Sequence, residues 1–180
     1  MKRLILTLVI LAFVATGANA EYKAYLLTEN EDPLAASCEV YPGSFEEVAL
    51  RLWIQSDVSK GLVGFELGMD FGPAMYMSAT KNPGVPSIIG DLLTCNFAGA
   101  FQTCQPDEWV WIVKYTFPYT GTPHMVKTVT NCDTGNYIVT SCEEDYPKYP
   151  LIEANQFGVN MGCVTDSETE SWGAVKSMYR

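Results

Sequence analysis

The chain has 180 residues, a formal net charge of −10, six cysteines and a single histidine. Such an acidic balance repels phosphate and anionic lipid headgroups, which excludes nucleic acid and anionic membrane surfaces as partners. One histidine and no C-x-x-C pair exclude the usual zinc-site spacings.

The first predicted element is a leader. "MKRLILTLVILAFVATGANA" has Lys2 and Arg3, an apolar run from Leu4 to about Val14, and the small-x-small close Ala18-Asn19-Ala20. This is the pattern of a signal peptide, residues 1–20, cleaved after Ala20. Its apolar run is shorter than the ~20 residues a membrane span needs, and no later segment is apolar enough. The mature chain from Glu21 is therefore expected to be exported and not membrane-spanning, placed in the periplasm, at the cell surface or outside the cell. Without Lys2 and Arg3, nine basic residues face 21 acidic ones, a net charge of −12. The remainder is long enough for one domain with a sizeable core.

Residues 21–164 read as one all-β domain. Tyr22–Leu27 is a short strand candidate, closed by the turn "NEDP" at Asn30–Pro33. In "EVALRLWIQ", Val48, Leu50, Leu52 and Ile54 point one way and Ala49, Arg51, Trp53 and Gln55 the other, which is the period of a half-buried strand. "GSFEEVAL" also offers a helix start at Ser44, but the alternation runs on through Gln55 and favours a strand. "LVGFELGM" repeats the period, with Val63, Phe65, Leu67 and Met69 on one face. Leu92–Phe97 is a further candidate. "EWVWIVKYTF" sets Trp109, Trp111, Val113, Tyr115 and Phe117 against Val110, Ile112, Lys114 and Thr116; apolar residues on both faces predict a central strand. Met125–Thr130, Tyr137–Thr140 and Gly158–Met161 come after it. Turn signals separate these runs: "YPGS", "NPGVP", "QPDE", "YTGTP" and "DTGN". About eight short strands so punctuated predict a β-sandwich.

An even number of cysteines in an exported chain reads as up to three disulfides. The short separations favour local bridges, Cys95 with Cys104 and Cys132 with Cys142, leaving Cys38 with Cys163 to tie the ends together. Six cysteines allow fifteen pairings, so this is an expectation from proximity alone.

Candidate chemistry is sparse. Any Ser-His-Asp or Cys-His site must use His124, which sits in the turn "GTPHM" with no G-x-S-x-G elbow in the chain. A surface or strand-edge histidine is the expected reading. Paired carboxylates for glycoside hydrolysis would come from Glu143, Glu144 and Asp145, but three adjacent acids in one loop are usually solvated. The same acids and Asp133 are the candidates for Ca²⁺, which takes oxygen ligands; none has EF-hand spacing. Trp53, Trp109 and Trp111 are candidates for an aromatic sugar platform, against the plainer reading as core.

Residues 165–180 form a polar tether and a distinct tail. Ser167 and Glu170 make an S-x-x-E capping box. Acidic residues come first and Lys176 and Arg180 last, matching a helix dipole. Trp172, Val175 and Tyr179 share one helical face. A short helix or a mobile tail is expected, with Trp172, Val175, Lys176, Tyr179 and Arg180 as a recognition element for export, anchoring or assembly. The competing expectation is that Trp172 packs back on the sandwich.

The tail "SWGAVKSMYR", together with "SIIGDLLTCNFAGAFQTCQ" and "TNCDTGNYIVTSCEEDYP", resembles uncharacterised exported bacterial proteins. These combine a signal peptide, a Cys-containing Ig-like or cohesin-like β-sandwich, and a C-terminus of Ser/Thr, Trp, Gly, any residue, Ile/Val, Lys, Ser/Ala, Leu/Met, Tyr/Phe and Arg/Lys. The resemblance implies location and fold, and transfers no catalytic residue. The sequence thus points to a secreted, non-enzymatic structural or interaction module with a protein or surface-polymer partner and no cofactor. The alternative is a carbohydrate- or calcium-dependent binding module, and a small hydrolase stands third.

Overall fold

A computed structural model describes residues 21–165; residues 1–20 and the tail from residue 166 lie outside the described residues. Among the described residues thirteen strands run in order, beginning with β1 (Tyr22–Thr28), β2 (Glu39–Val40), β3 (Glu47–Gln55), β4 (Leu62–Asp70), β5 (Ser78–Lys81), β6 (Ser87–Asp91) and β7 (Asn96–Gln105). Then come β8 (Trp109–Pro118), β9 (His124–Val129), β10 (Ile138–Thr140), β11 (Lys148–Glu153), β12 (Asn155–Val159) and β13 (Val164–Thr165). The all-β sandwich stands, but with more than the eight strands expected, because several strands are short and polar. Pro33–Ala35 is a 3-10 turn capped by Asp32.

One layer is β1–β3–β8–β5, all antiparallel. The other is β6–β7–β4–β9–β12, also antiparallel. Along one side β10 and β11 connect them: β10 pairs with β4, β11 with β10, and β11 runs parallel to β1. The inward residues of both layers meet in one core. Val48, Leu50, Leu52 and Ile54 of β3 are at most 1% exposed, as their alternation requires. They face Phe65, Leu67, Phe97, Val126 and Phe157 of the other layer within the same cluster. Phe71 packs edge-on against Tyr115 with ring centroids 4.9 Å apart.

The central strand departs from simple alternation. Leu52 is opposite Val113 but Trp53 is opposite Trp111, so Ile112 is an extra residue in β8. This β-bulge switches the face of everything beyond it. Ile112 and Val113 are both buried, and Tyr115 and Phe117 remain in the core, whereas Trp109 and Trp111 turn outward. The expectation of one shared face for all five residues is corrected by that single insertion.

The disulfides also correct the local pairing. Cys95 bonds Cys132 and Cys104 bonds Cys142, with Cα atoms 5.4 and 5.7 Å apart. Cys95 and Cys104 sit near opposite ends of β7, which an extended strand holds roughly 30 Å apart at ~3.3 Å per residue. Cys132 and Cys142 are likewise separated by β10. Gly68 of β4 lets the Cys95 backbone approach, since a Cβ there would lie 2.6 Å from Cys95 Cα. Cys38 bonds Cys163 as expected, closing a separation of 125 residues.

Candidate functional site

The outer face of β1–β3–β8 carries the aromatic residues singled out in the sequence. Tyr25 is opposite Trp53, and Trp53 opposite Trp111. Trp53 is only 4% exposed although it points away from the core. Its indole N–H has no hydrogen-bond partner among the described residues. Trp109 and Trp111 are half-buried. Their rings are already engaged: Tyr25 tilts against Trp109 at 5.0 Å, and the Arg51 guanidinium lies 5.3 Å from the Trp111 ring. Arg51 also donates to Asn30 O at 2.9 Å, and Lys114 Nζ lies 2.7 Å from Glu29 Oε2. That hydrogen bond from Lys114 holds the Glu29 carboxyl below its usual range. The three tryptophans therefore lie on one sheet face, but they do not form a flat, open stacking platform.

Beside this face runs a groove of about 400 Å³, lined by Lys23, Tyr25, Leu27, Ala36, Cys38, Ala154, Asn155 and Thr165. Asn155 builds its floor. Its Oδ1 accepts from Leu26 N at 2.8 Å and its Nδ2 donates to Leu26 O at 2.7 Å, so one side chain completes the ladder where β12 meets β1. Ala36 and Cys38 line the groove together with buried Leu27.

A second surface was not legible in the sequence. At the end of the sandwich where β8 exits, Phe45 is 80% and Tyr76 is 83% exposed. Both have left-handed backbone, φ 63° and 55°, a conformation unusual for bulky side chains and concentrated at functional positions. Phe45 N donates to Tyr119 O at 2.8 Å and Tyr119 N to Glu46 O at 2.9 Å, which pins Phe45 to one side of β8. Tyr76 precedes β5, whose Ser78 pairs with Thr116 on the other side of β8. The two rings are thus carried by segments about two strand spacings apart, roughly 10 Å. Tyr41 and Met75 are exposed on the same end, and Glu46 and Glu47 next to Phe45 are exposed acids.

The acidic candidates are dispersed. Asp133 accepts from Asn96 Nδ2 at 2.7 Å beside the Cys95–Cys132 bridge. Glu143 lies beyond β10, beside Cys104–Cys142, where its Oε2 accepts from Tyr149 OH at 2.6 Å and Ser141 Oγ at 3.0 Å. The tyrosine hydrogen bond, then that of Ser141 and the charge of Lys60, hold the Glu143 carboxyl below its usual range. Glu144 and Asp145 are exposed in the following turn. Among the described residues no three His, Cys, Asp or Glu side chains gather as a metal cluster.

His124 is buried at the start of β9 rather than exposed, 7% accessible, with its ring 6.1 Å from Phe117. Its Nδ1 meets Thr122 O at 2.8 Å, while Nε2 has no partner among the described residues. Among the described residues no nucleophile is paired with it. Trp172, Val175, Lys176, Tyr179 and Arg180 lie outside the described residues. Among the described residues no helix is long and apolar enough to cross a membrane.

No family model matches the sequence, and no curated protein matches it. The fold does have solved counterparts. A cohesin module from a family 33 glycoside hydrolase of Clostridium perfringens superposes with a TM-score of 0.52 over 80% of this chain and 98% of that one, at 11% identity. A cohesin from Clostridium thermocellum, solved in a cohesin–dockerin complex, gives 0.49 at 9% identity over 78% and 92% of the two chains. Identity this low shows the cohesin-like sandwich fold alone.

Proposed function

We propose that the protein is an exported, non-enzymatic interaction module of the cell surface or extracellular space. It binds a protein partner through the end of the sandwich from which Phe45 and Tyr76 project. The observation that carries this reading is the pairing of high exposure with left-handed backbone at two aromatic residues on either side of β8. Aromatic side chains supply large contact area at low conformational-entropy cost and are enriched at interfaces. The neighbouring Glu46 and Glu47 suit a partner whose apolar pocket is rimmed by basic residues. A cohesin-like sandwich tied by three disulfides is a rigid carrier for such a tip.

The test places a photo-crosslinking amino acid at position 45, at position 76, and at Val58 on the opposite end, in protein presented to the native host's envelope fraction. The protein labelled from 45 and 76 is then purified and titrated calorimetrically with Phe45→Ser and Tyr76→Ser. At least a tenfold weakening in each variant is expected. Unchanged affinity, or equal labelling from position 58, overturns the reading. A carbohydrate-binding role is a second reading, resting on the half-buried Trp109 and Trp111 although their rings already pack against Tyr25 and Arg51; retention on insoluble polysaccharide lost in Trp109→Ala would support it.

A further inference from the structure

We propose that the groove beside β1 is the docking site of this chain's own C-terminal segment, residues 166–180, with Trp172 as its anchor. The described chain ends at the groove itself, since Thr165 is part of its wall. Thr165 closes β13, which runs antiparallel to β12 with Thr165 opposite Asn155 and Val164 opposite Gln156. That direction leads from Gln156 past Asn155 towards Ala154, whose N–H bonds Ala24 O at 2.9 Å. At its last described residue β13 therefore points along β1, towards Tyr25 and Lys23.

The order of residues after Thr165 matches the groove. Its walls mix apolar Tyr25, Leu27, Ala36 and Ala154 with Lys23 at one end. Beyond Tyr25 the same sheet face continues into Trp53, Trp109 and Trp111, with exposed Asp107 and Glu108 just before β8. The segment presents acids first, Asp166, Glu168 and Glu170, then Trp172, then Lys176 and finally Arg180. An aromatic against the edge of the Tyr25–Trp109 pair and bases near exposed Asp107 and Glu108 follow this order, while Lys23, paired with Glu21 at 3.1 Å, adds little for the acids. Reach is sufficient: Trp172 is seven residue steps from Thr165, up to about 25 Å at 3.3–3.6 Å each. From β1 to β8 is two strand spacings, about 10 Å. Tethering helps as well, because a short linker holds the segment at an effective concentration in the millimolar range, so intrinsically weak contacts suffice.

The test uses the full mature chain, isotopically labelled, and compares it with Trp172→Ala by amide and indole NMR. Docking in cis predicts shifts at Tyr25, Leu27, Asn155 and the Trp53 and Trp109 indoles, independent of protein concentration. Core reporters such as Phe97 and Tyr115 should not move. A second variant, Tyr25→Ala, should release the Trp172 indole signal to the position it has in a free peptide of residues 166–180. Identical groove signals with and without the Trp172 ring overturn the proposal. Groove shifts that appear only at high concentration also overturn it, since they assign the groove to a second copy's tail. A tail that acts solely as a recognition tag gives the first of these results, with delivery in the host impaired.

Discussion

Asn155 offers a sharp test of how the two layers are joined. It is 4% exposed, and its amide replaces a strand partner for Leu26, accepting from the backbone N–H and donating to the C=O. Asn155→Ala removes both bonds and leaves a buried donor and a buried acceptor unmade, each worth about 1–3 kcal/mol. Relaxation of the chain around the small cavity offsets part of this, which favours the lower half of the sum, about 2–4 kcal/mol. For a domain of this size that is roughly 5–15 °C in Tm. The assay is urea unfolding with the disulfides intact, with Gln156→Ala as a half-buried neighbour expected to cost little. Asn155→Asp adds a sign. It keeps the acceptor but sets a carboxylate oxygen against Leu26 O, so its folded pKa must rise above the unfolded ~3.9. Its deficit should grow as pH rises above about 4 and shrink on acidification, as the folded form takes up its proton. A loss under about 1 kcal/mol for the alanine variant, or an aspartate deficit independent of pH, would refute the bridging role.

Peptide mapping without reduction should give Cys95–Cys132, Cys104–Cys142 and Cys38–Cys163, with no free thiol; a Cys95–Cys104 fragment contradicts the fold's register. Lys114→Met should lower stability at pH 7 by under ~1 kcal/mol, the scale of a part-exposed pair. At pH 2 it should change nothing, because the depressed Glu29 pKa contributes only above the carboxylate range and is lost as pH falls through it; an equal loss at both pH values contradicts this. Deleting Ile112 should leave Leu52–Val113 and Trp53–Trp111 in regular register, with Val113, Tyr115 and Phe117 still inward, so the domain should fold but lose about 2–5 kcal/mol with that buried side chain; a deletion variant without native-like near-ultraviolet circular dichroism would show the bulge to be indispensable.

The strands legible in the sequence are those that are half-buried. β3, β4 and β8 each have one face in the core, and burial imposes a two-residue period on them. β5, β6 and β11 carry a fainter mark, because the alternate residues that touch the core are few and mostly half-buried: Ala79 in "SATK", Ile88 in "SIIGD", and Tyr149 with buried Leu151 in "KYPLIE". Pro150 in β11 also reads as a breaker. Leu92–Thr94 has the composition of a strand start but forms a turn, with Asp91 Oδ1 accepting from Leu93 N at 2.9 Å. Disulfide partners are hidden for a different reason: the sheet, not the chain, sets which cysteines meet. The Trp face depends on one inserted residue that leaves no compositional trace. Phe45 and Tyr76 are invisible because left-handed backbone is normally announced by Gly or Asn, and these positions carry neither.

The edges of the sandwich narrow how such a module can recognise anything. A long, regular edge strand invites another chain to add as a further strand. Here β5 closes one layer with four residues, and Lys81 at its end is turned back to donate to Pro86 O at 2.6 Å. β6 closes the other with five residues, kinked at Gly90, whose φ is 88°. The opposite flank is joined by β10 and β11, and β12 there is flanked by β2 and β13, two residues each. Strand addition is thus disfavoured at both open sides, and recognition passes to side chains held away from the edges. Those are the aromatic tip at the end of β8 and the groove beside β1. The first is held at Phe45 by the backbone bonds to Tyr119; the second is anchored by Asn155 and the Cys38–Cys163 bridge. Breaking that bridge with Cys38→Ser and Cys163→Ser should therefore loosen the groove's amides in hydrogen exchange while leaving those of Phe45 and Tyr76 unchanged.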